Sequence, residues 1–346
     1  HKLAVGAEYA YEEFGKKSPG YPSQPASVAD ALTAVNGSDS WHGHTFAFLL
    51  EDQYQVIDEL ILFAGLRVDE TRYTDEEFSP RAGAVFSPDD DNIFKAVFNR
   101  ATRRPDELEA RLEDKTNGGR GDVESIDFYE LQYIRQQNEN FRAVFSAYYG
   151  DYDVVAFTFN TVKSEELGNL EYYGLETELE YEDSWGRIIF SHNYTKLDDF
   201  SVTDGITVQN ISASPYGYGD DLANWSNHIS KMIATFFLTE DIELHASARV
   251  FWGIPGGEDL AEYNQTEIGS VNLPATDGSD KAWDESIFVN FGLLYQLTPE
   301  LRIGGHAYNI LGWWDKDLNK RNSFQRTSQY RAEAASLAFS ATYSFK

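Results

Sequence analysis

Cysteine is absent from all 346 residues, which excludes disulfides, thiolate metal sites and a cysteine nucleophile. Its absence suits an exported protein that avoids mispairing. Basic residues are scarce: 28 Lys and Arg stand against 57 Asp and Glu, a net charge of −29. Phosphate backbones need the opposite sign, so nucleic acid is not an expected partner. An acid-coated surface or lumen is expected instead. The longest apolar run, LILFAGL at Leu60 to Leu66, is far too short for a membrane helix. If the chain meets a bilayer, it does so as strands. No HExxH, Gly-rich phosphate loop or Ser, His and Asp arrangement is present. Paired carboxylates are too common here to single out an acid–base pair, so an enzyme is not expected and no cofactor is called for. No signal peptide precedes the opening HKLAVGAEYAYEEF, which is already strand-like. The chain is therefore expected to be processed or truncated at that end.

What is present is aromatic and alternating. Phe, Tyr and Trp make up 15% of a chain whose mean hydropathy is only −0.47, the profile of strands that are apolar on one side. Leu3, Val5, Ala7, Tyr9 and Tyr11 alternate with Ala4, Gly6, Glu8 and Ala10. Ile242, Leu244, Ala246, Ala248 and Val250 alternate with Glu243, His245, Ser247 and Arg249. Leu337, Phe339, Ala341, Tyr343 and Phe345 alternate with small hydroxyl or alanine residues. This period of two marks half-buried strands. About fourteen such segments are expected, near 1–14, 44–57, 59–72, 79–88, 92–103, 125–137, 140–156, 168–182, 186–199, 227–239, 241–253, 285–297, 300–311 and 333–345. Many exceed the ~5–6 residues of a globular strand and match the ~9–11 that a tilted strand needs to cross a bilayer.

The connections alternate in length. Those at 15–43, 104–124, 157–167, 200–226, 254–284 and 312–332 are long, with a shorter member at 73–78. Between them the chain reverses in a few residues of turn chemistry, as in SPDDDN, EDSWG and LTPE. Tight turns at one end and long loops at the other are the habit of outer-membrane barrels. The expected fold is therefore all-β: a transmembrane antiparallel up-and-down β-barrel with short periplasmic turns and long extracellular loops. Tyr54, Trp185, Trp252, Trp283 and Tyr343 lie near strand ends, where aromatic girdles form. One helical turn or two is expected at Glu109 to Lys115, and no separate helical domain.

Candidate ligand contacts cluster at loops and upper strand ends, where a rigid scaffold presents binding residues. They are Trp41, Tyr216, Tyr218, Trp313 and Trp314, each of which could equally serve girdle or loop packing. His42 and His44 stand two apart and point the same way on a strand, so they could touch one metal or haem; a loop edge entering a strand is the plainer reading. Arg100, Arg103 and Arg104 offer guanidinium groups to an anionic chelate or carboxylate, or pair with the abundant acids. GDDLAN at Gly219 to Asn224 lacks the ligand spacing of a calcium loop and reads as a solvated turn.

The order of these motifs resembles the C-terminal part of a TonB-dependent outer-membrane receptor barrel. LEDQYQVIDELILFAGLRVDETRY is similar to that family's hairpin into a G-L-R-x-D strand. FSPRAGAVFSPDDDNIFKAVFNRATRRPDELE resembles the S-P-R strand and the strand ending in R-x-P. FYELQYIRQQNENFRAVFSAYYGDYDVVAF, NLEYYGLETELEY with its N-x-x-x-x-G-x-E pattern, HISKMIATFFL, AYNILG and the aromatic last strand follow in the same order. The resemblance covers residues 1–346 as one barrel domain. It implies about fourteen strands of a total of about twenty-two, with the plug domain and first strands absent. It further implies an active-transport receptor in the outer membrane of a Gram-negative bacterium, taking up a scarce nutrient such as a ferric siderophore. Its implied partners are outer-membrane lipid, the ligand, the TonB complex through the missing plug, and the barrel-assembly machinery. Tyr343 and Phe345 fit the aromatic terminal signal read by that machinery, although Lys346 follows. The alternative is a fourteen-stranded passive channel closed on itself.

Overall fold

The computed structural model describes residues 1–15, 40–158, 162–203, 226–253, 286–314 and 334–345. Fourteen strands form a single sheet in strict sequence order. They are β1 (Lys2–Gly15), β2 (Ser40–Ile57), β3 (Leu60–Thr71), β4 (Glu77–Asp89), β5 (Asn92–Arg103), β6 (Glu124–Asn138), β7 (Phe141–Thr158), β8 (Lys163–Asp183), β9 (Gly186–Val202), β10 (His228–Phe237), β11 (Ile242–Trp252), β12 (Ser286–Thr298), β13 (Leu301–Tyr308) and β14 (Ser336–Tyr343). Every neighbouring pair is antiparallel. Among the described residues β1 and β14 each pair on one side only, so the sheet is open.

Three corrections apply to the expected elements. Strands β7 and β8 run on to Thr158 and from Lys163, so their connection is far shorter than 157–167. The expected strand 300–311 stops at Tyr308, because Asn309 takes a left-handed conformation (φ 48°) that leads into a 3₁₀ turn at Ile310–Trp313. Helix α1 (Glu107–Asn117) is eleven residues long. Asp106 caps it: its carboxylate accepts from the Glu109 N–H at 2.9 Å, and its own N–H reaches back to the Glu109 carboxylate at 3.4 Å. This reciprocal pair is a capping box.

Alternation along the strands separates two faces. Large apolar side chains stand exposed on one, Leu131 at 65% and Phe339 at 83% among them. So broad an uncovered apolar surface is not compatible with water on that side. The pairs in register continue it across the sheet, with Val5 opposite Leu50, Leu50 opposite Leu66, and Leu244 opposite Leu293. Aromatics edge it below: Trp185, in the β8–β9 turn, packs against Tyr181 and Phe236 at ring distances of 5.9 Å. Of the other expected girdle residues, Trp283 lies outside the described residues.

The opposite face is polar and tightly pleated. Tyr148 and Tyr172 lie across Gly174 and Gly150, the residues opposite them on the facing strand. Each ring occupies the space that a β-carbon would need, a reciprocal covering of strand glycine by aromatic.

Candidate functional site: the polar face and its upper rim

The polar face curves around a cavity of about 1110 Å³ whose lining includes Lys95, Glu130, Gln132, Glu176, Asn193 and Lys231. These side chains come from β5, β6, β8, β9 and β10, and share one face because each strand contributes alternate residues. Most of the acids are engaged: Glu130 accepts from Gln132 at 3.4 Å, Glu176 from Asn193 at 2.7 Å, and Glu178 lies 3.7 Å from Arg142. Lys95 and Lys231 form no ion pair among the described residues. They are the cations this cavity can offer to an incoming anion. Sequence reasoning missed both, since a single lysine in a strand carries no signal until the register places it.

Arginines elsewhere on this face are committed. Arg67 holds Asp69 through Nε and Nη2, both at 2.6 Å, and reaches Glu8 at 3.3 Å. Arg81 pairs with Glu51, and Arg302 with Glu243 at 2.7 Å.

The expected ligand contacts scatter. Arg100 grips Asp127 with two bonds of 2.6 and 2.5 Å. Arg103 pairs with Glu124, whose side chain is only 3% exposed. Arg104 binds Glu77 at 3.0 Å and donates to the Thr45 hydroxyl at 3.1 Å. The three guanidinium groups therefore serve three separate carboxylates rather than one anion site. By alternation, Arg100 shares the face of Phe98 and Tyr129, with Asp127 and Asp151 in register beside it. The upper ends of these strands thus carry charge on the outer face, a departure from the simple rule of apolar outward and charged inward.

His42 and His44 also take the outer face, in register with Glu13 and Tyr11. Their rings stand 5.2 Å apart, but their nitrogens serve others: His44 Nδ1 lies 3.1 Å from Tyr9 Oη, and His42 Nε2 lies 3.2 Å from Arg72. Trp41 pairs through its backbone with Phe14 beside them. Tyr216 and Tyr218 lie outside the described residues, as does the GDDLAN stretch. Trp313 and Trp314 follow β13 as an exposed pair, 47% and 76% accessible, with rings 6.4 Å apart. Tyr343 and Phe345 pack edge-on at 4.9 Å on the open edge of β14.

A buried knot below α1 ties three upper connections together. Glu113 of α1 is 1% exposed and accepts from the Ser164 N–H at 2.9 Å. Gly121 donates to the Tyr73 carbonyl at 2.9 Å, and Tyr73 donates its hydroxyl to the His42 carbonyl at 2.7 Å. Burial and the neighbouring Asp106 hold the Glu109 carboxyl above its ordinary range.

The family model described as "TonB dependent receptor-like, beta-barrel" matches residues 1–310. No curated protein matches the chain in sequence. Among solved structures, the siderophore receptor PirA from Acinetobacter baumannii superposes with a TM-score of 0.67 at 15% identity, over 99% of this chain and 52% of that one. PirA from Pseudomonas aeruginosa gives 0.62 at 13% identity, over 99% and 51%. The FrpB iron transporter from Neisseria meningitidis (F3-3 variant) gives 0.66 at 13%, over 99% and 52%. The chain therefore spans about half the length of the structures it matches. At these identities the likeness establishes the fold.

Proposed function

From the premise that the chain belongs to the TonB dependent receptor-like, beta-barrel family, we propose that it is the C-terminal barrel portion of an outer-membrane active-transport receptor. In this reading residues 1–346 are one barrel domain, and the plug and remaining strands are supplied outside them. The exposed apolar face meets outer-membrane lipid, and the polar face lines the path of a scarce nutrient. The substrate class is a ferric siderophore or similar chelate, moved with energy delivered through TonB to the plug. Tyr343 and Phe345 serve as the signal for the barrel-assembly machinery.

One observation carries the reading: a continuous sheet, apolar on one face, encloses on the other a polar cavity with two uncommitted lysines. A ferric tris-catecholate is anionic, because its phenolate oxygens outweigh the charge of the metal, and an ammonium meets it as a compact point charge. Arg100, Arg103 and Arg104 support the walls, because removing any one strands its carboxylate partner. The passive-channel alternative requires β1 to pair with β14. These strands stand at opposite edges of the sheet, which does not favour that alternative.

The test is direct binding of ferric catecholate and ferric hydroxamate complexes, haem, cobalamin and oligosaccharides to the full-length protein in detergent. Binding of a ferric chelate that weakens at least fivefold in Lys95→Gln plus Lys231→Gln, and weakens further as salt rises, is the expected outcome. Saturable binding of an oligosaccharide with no response to any ferric chelate would reject it.

A further inference from the structure

The two histidines that sequence reading singled out are not the pair whose nitrogens meet. Across β9 and β10, His192 stands opposite Ser230 and His228 opposite Tyr194, which makes the histidines diagonal neighbours on one face. His192 Nε2 and His228 Nδ1 face each other at 3.3 Å. Two imidazole nitrogens bound to one ion at ~2.0–2.1 Å stand about 2.8–3.4 Å apart for angles between square and tetrahedral. The observed separation falls in that window, and a modest turn of each ring would aim both lone pairs at one ion.

Both rings are held by neighbours that leave these nitrogens for each other. The far nitrogen of His192, Nδ1, is 2.9 Å from the Ser230 hydroxyl, which also accepts from Trp252 Nε1–H at 3.3 Å. His192 that donates through Nδ1 keeps its lone pair on Nε2, toward His228. His228 lies flat on the Trp252 indole, with ring centres 3.7 Å apart and planes at 5°, and Tyr194 closes its other side at 4.8 Å. Outer partners of this kind set tautomer and orientation in histidine metal sites.

We propose that His192 Nε2 and His228 Nδ1 form a binding site for a first-row divalent transition ion, with copper bound most tightly and zinc less so. In the metal-free state one ring's N–H bridges the 3.3 Å gap. Binding moves that proton to the ring's other nitrogen, so both lone pairs reach the ion and no net proton is lost. The pair lies on the outward face at the upper rim, His228 being the first residue of β10 and Trp252 the last of β11. No group of three or more His, Cys, Asp or Glu gathers for a metal among the described residues, so solvent at that rim would complete the coordination. The ion is therefore exchangeable. It would link β9 to β10 at the upper end of the sheet, where the connection between these strands begins. His42 and His44 show no such meeting of nitrogens: His44 Nδ1 faces Tyr9 and His42 Nε2 faces Arg72.

The test is titration of the full chain in detergent with Cu²⁺ alone, followed by paramagnetic resonance and tryptophan emission. The expected result is one tight Cu²⁺ with coupling to two imidazole nitrogens, accompanied by quenching of one tryptophan that Trp252→Phe removes. His192→Gln and His228→Gln should each weaken binding at least tenfold, while His42→Gln plus His44→Gln leaves it unchanged. Zn²⁺ should displace the copper only when in excess. Near-ultraviolet circular dichroism on each variant separates loss of the site from loss of fold. Unchanged Cu²⁺ affinity in correctly folded His192→Gln and His228→Gln, or loss only in the His42 and His44 variant, would overturn the assignment.

Discussion

Tyr148 and Gly174 show how tightly single residues are fitted on the polar face. The Tyr148 ring fills the space above Gly174, and its hydroxyl meets Thr195 and accepts from Asn193 at 3.0 Å. A β-branched side chain at Gly174 must expel that ring and break both polar contacts. Gly174→Val should cost ~1–3 kcal/mol by overpacking, read as an earlier loss of β-structure on denaturant titration, whereas Leu175→Val next door should be mild. Equal effects at the two positions would contradict the fitted arrangement. The side-chain faces were legible at this scale, because Leu244, Ala246 and Ala248 alternate with His245, Ser247 and Arg249 in the chain itself. The partners were not. Arg103 and Arg104 could be read as anion ligands or as partners of the abundant acids, and only folding named those acids: Glu124 for Arg103 and Glu77 for Arg104. Nor did any local signal join His192 to His228, since only the β9–β10 register makes them neighbours.

At the scale of elements, the short turns set the registers and the upper connections hold them. Asp89 illustrates the turn chemistry: its carboxylate accepts from the Asn92 side chain at 2.7 and 2.9 Å and from the Asp91 N–H at 2.9 Å. The Asn92 contact in particular keeps its pKa below the usual carboxylate value. Helix α1 plays the corresponding part above, since it carries the capping box at one end and the buried Glu113 in its middle. Asp106→Ala should lower the stability of this region by ~1 kcal/mol, the usual cost of a lost cap. The measurement is amide hydrogen exchange, with faster exchange expected in α1 and around Ser164 and none of the increase reaching β10–β13.

Glu109 adds a pH dependence with a definite sign. Its pKa is raised in the folded state, so the folded chain binds the proton more readily than the unfolded one. Its contribution is full below the ordinary carboxylate value and is lost as pH rises through the folded value. Protection of α1, measured relative to the intrinsic exchange rate at each pH, should therefore fall between mildly acidic and neutral pH, and Glu109→Gln should remove that fall. The helix itself was only partly legible. Glu109 to Lys115 read as a turn or two, while the capping box that starts it lies in DELE, where so many acids hide the signal.

At the scale of the whole molecule, the alternation of long and short connections was enough to read an up-and-down sheet, and fourteen strands in sequence order match it. Edge pairing was beyond reach of the sequence, since nothing local states what stands beside β1 or β14. The central claim is that one face of this sheet meets lipid and the other a watery path for ligand. The lack of cysteine in these 346 residues makes it open to a clean measurement once any cysteine outside them is replaced. Single cysteines along β11 from Glu243 to Ala248, placed in the full-length protein, can be spin-labelled in liposomes and tested for collision with dissolved oxygen and with a water-soluble nickel complex. The account predicts a period of two: labels at 244, 246 and 248 favour oxygen, and labels at 243, 245 and 247 favour nickel. A profile without that alternation, or one with nickel favoured at 244, 246 and 248, would contradict it.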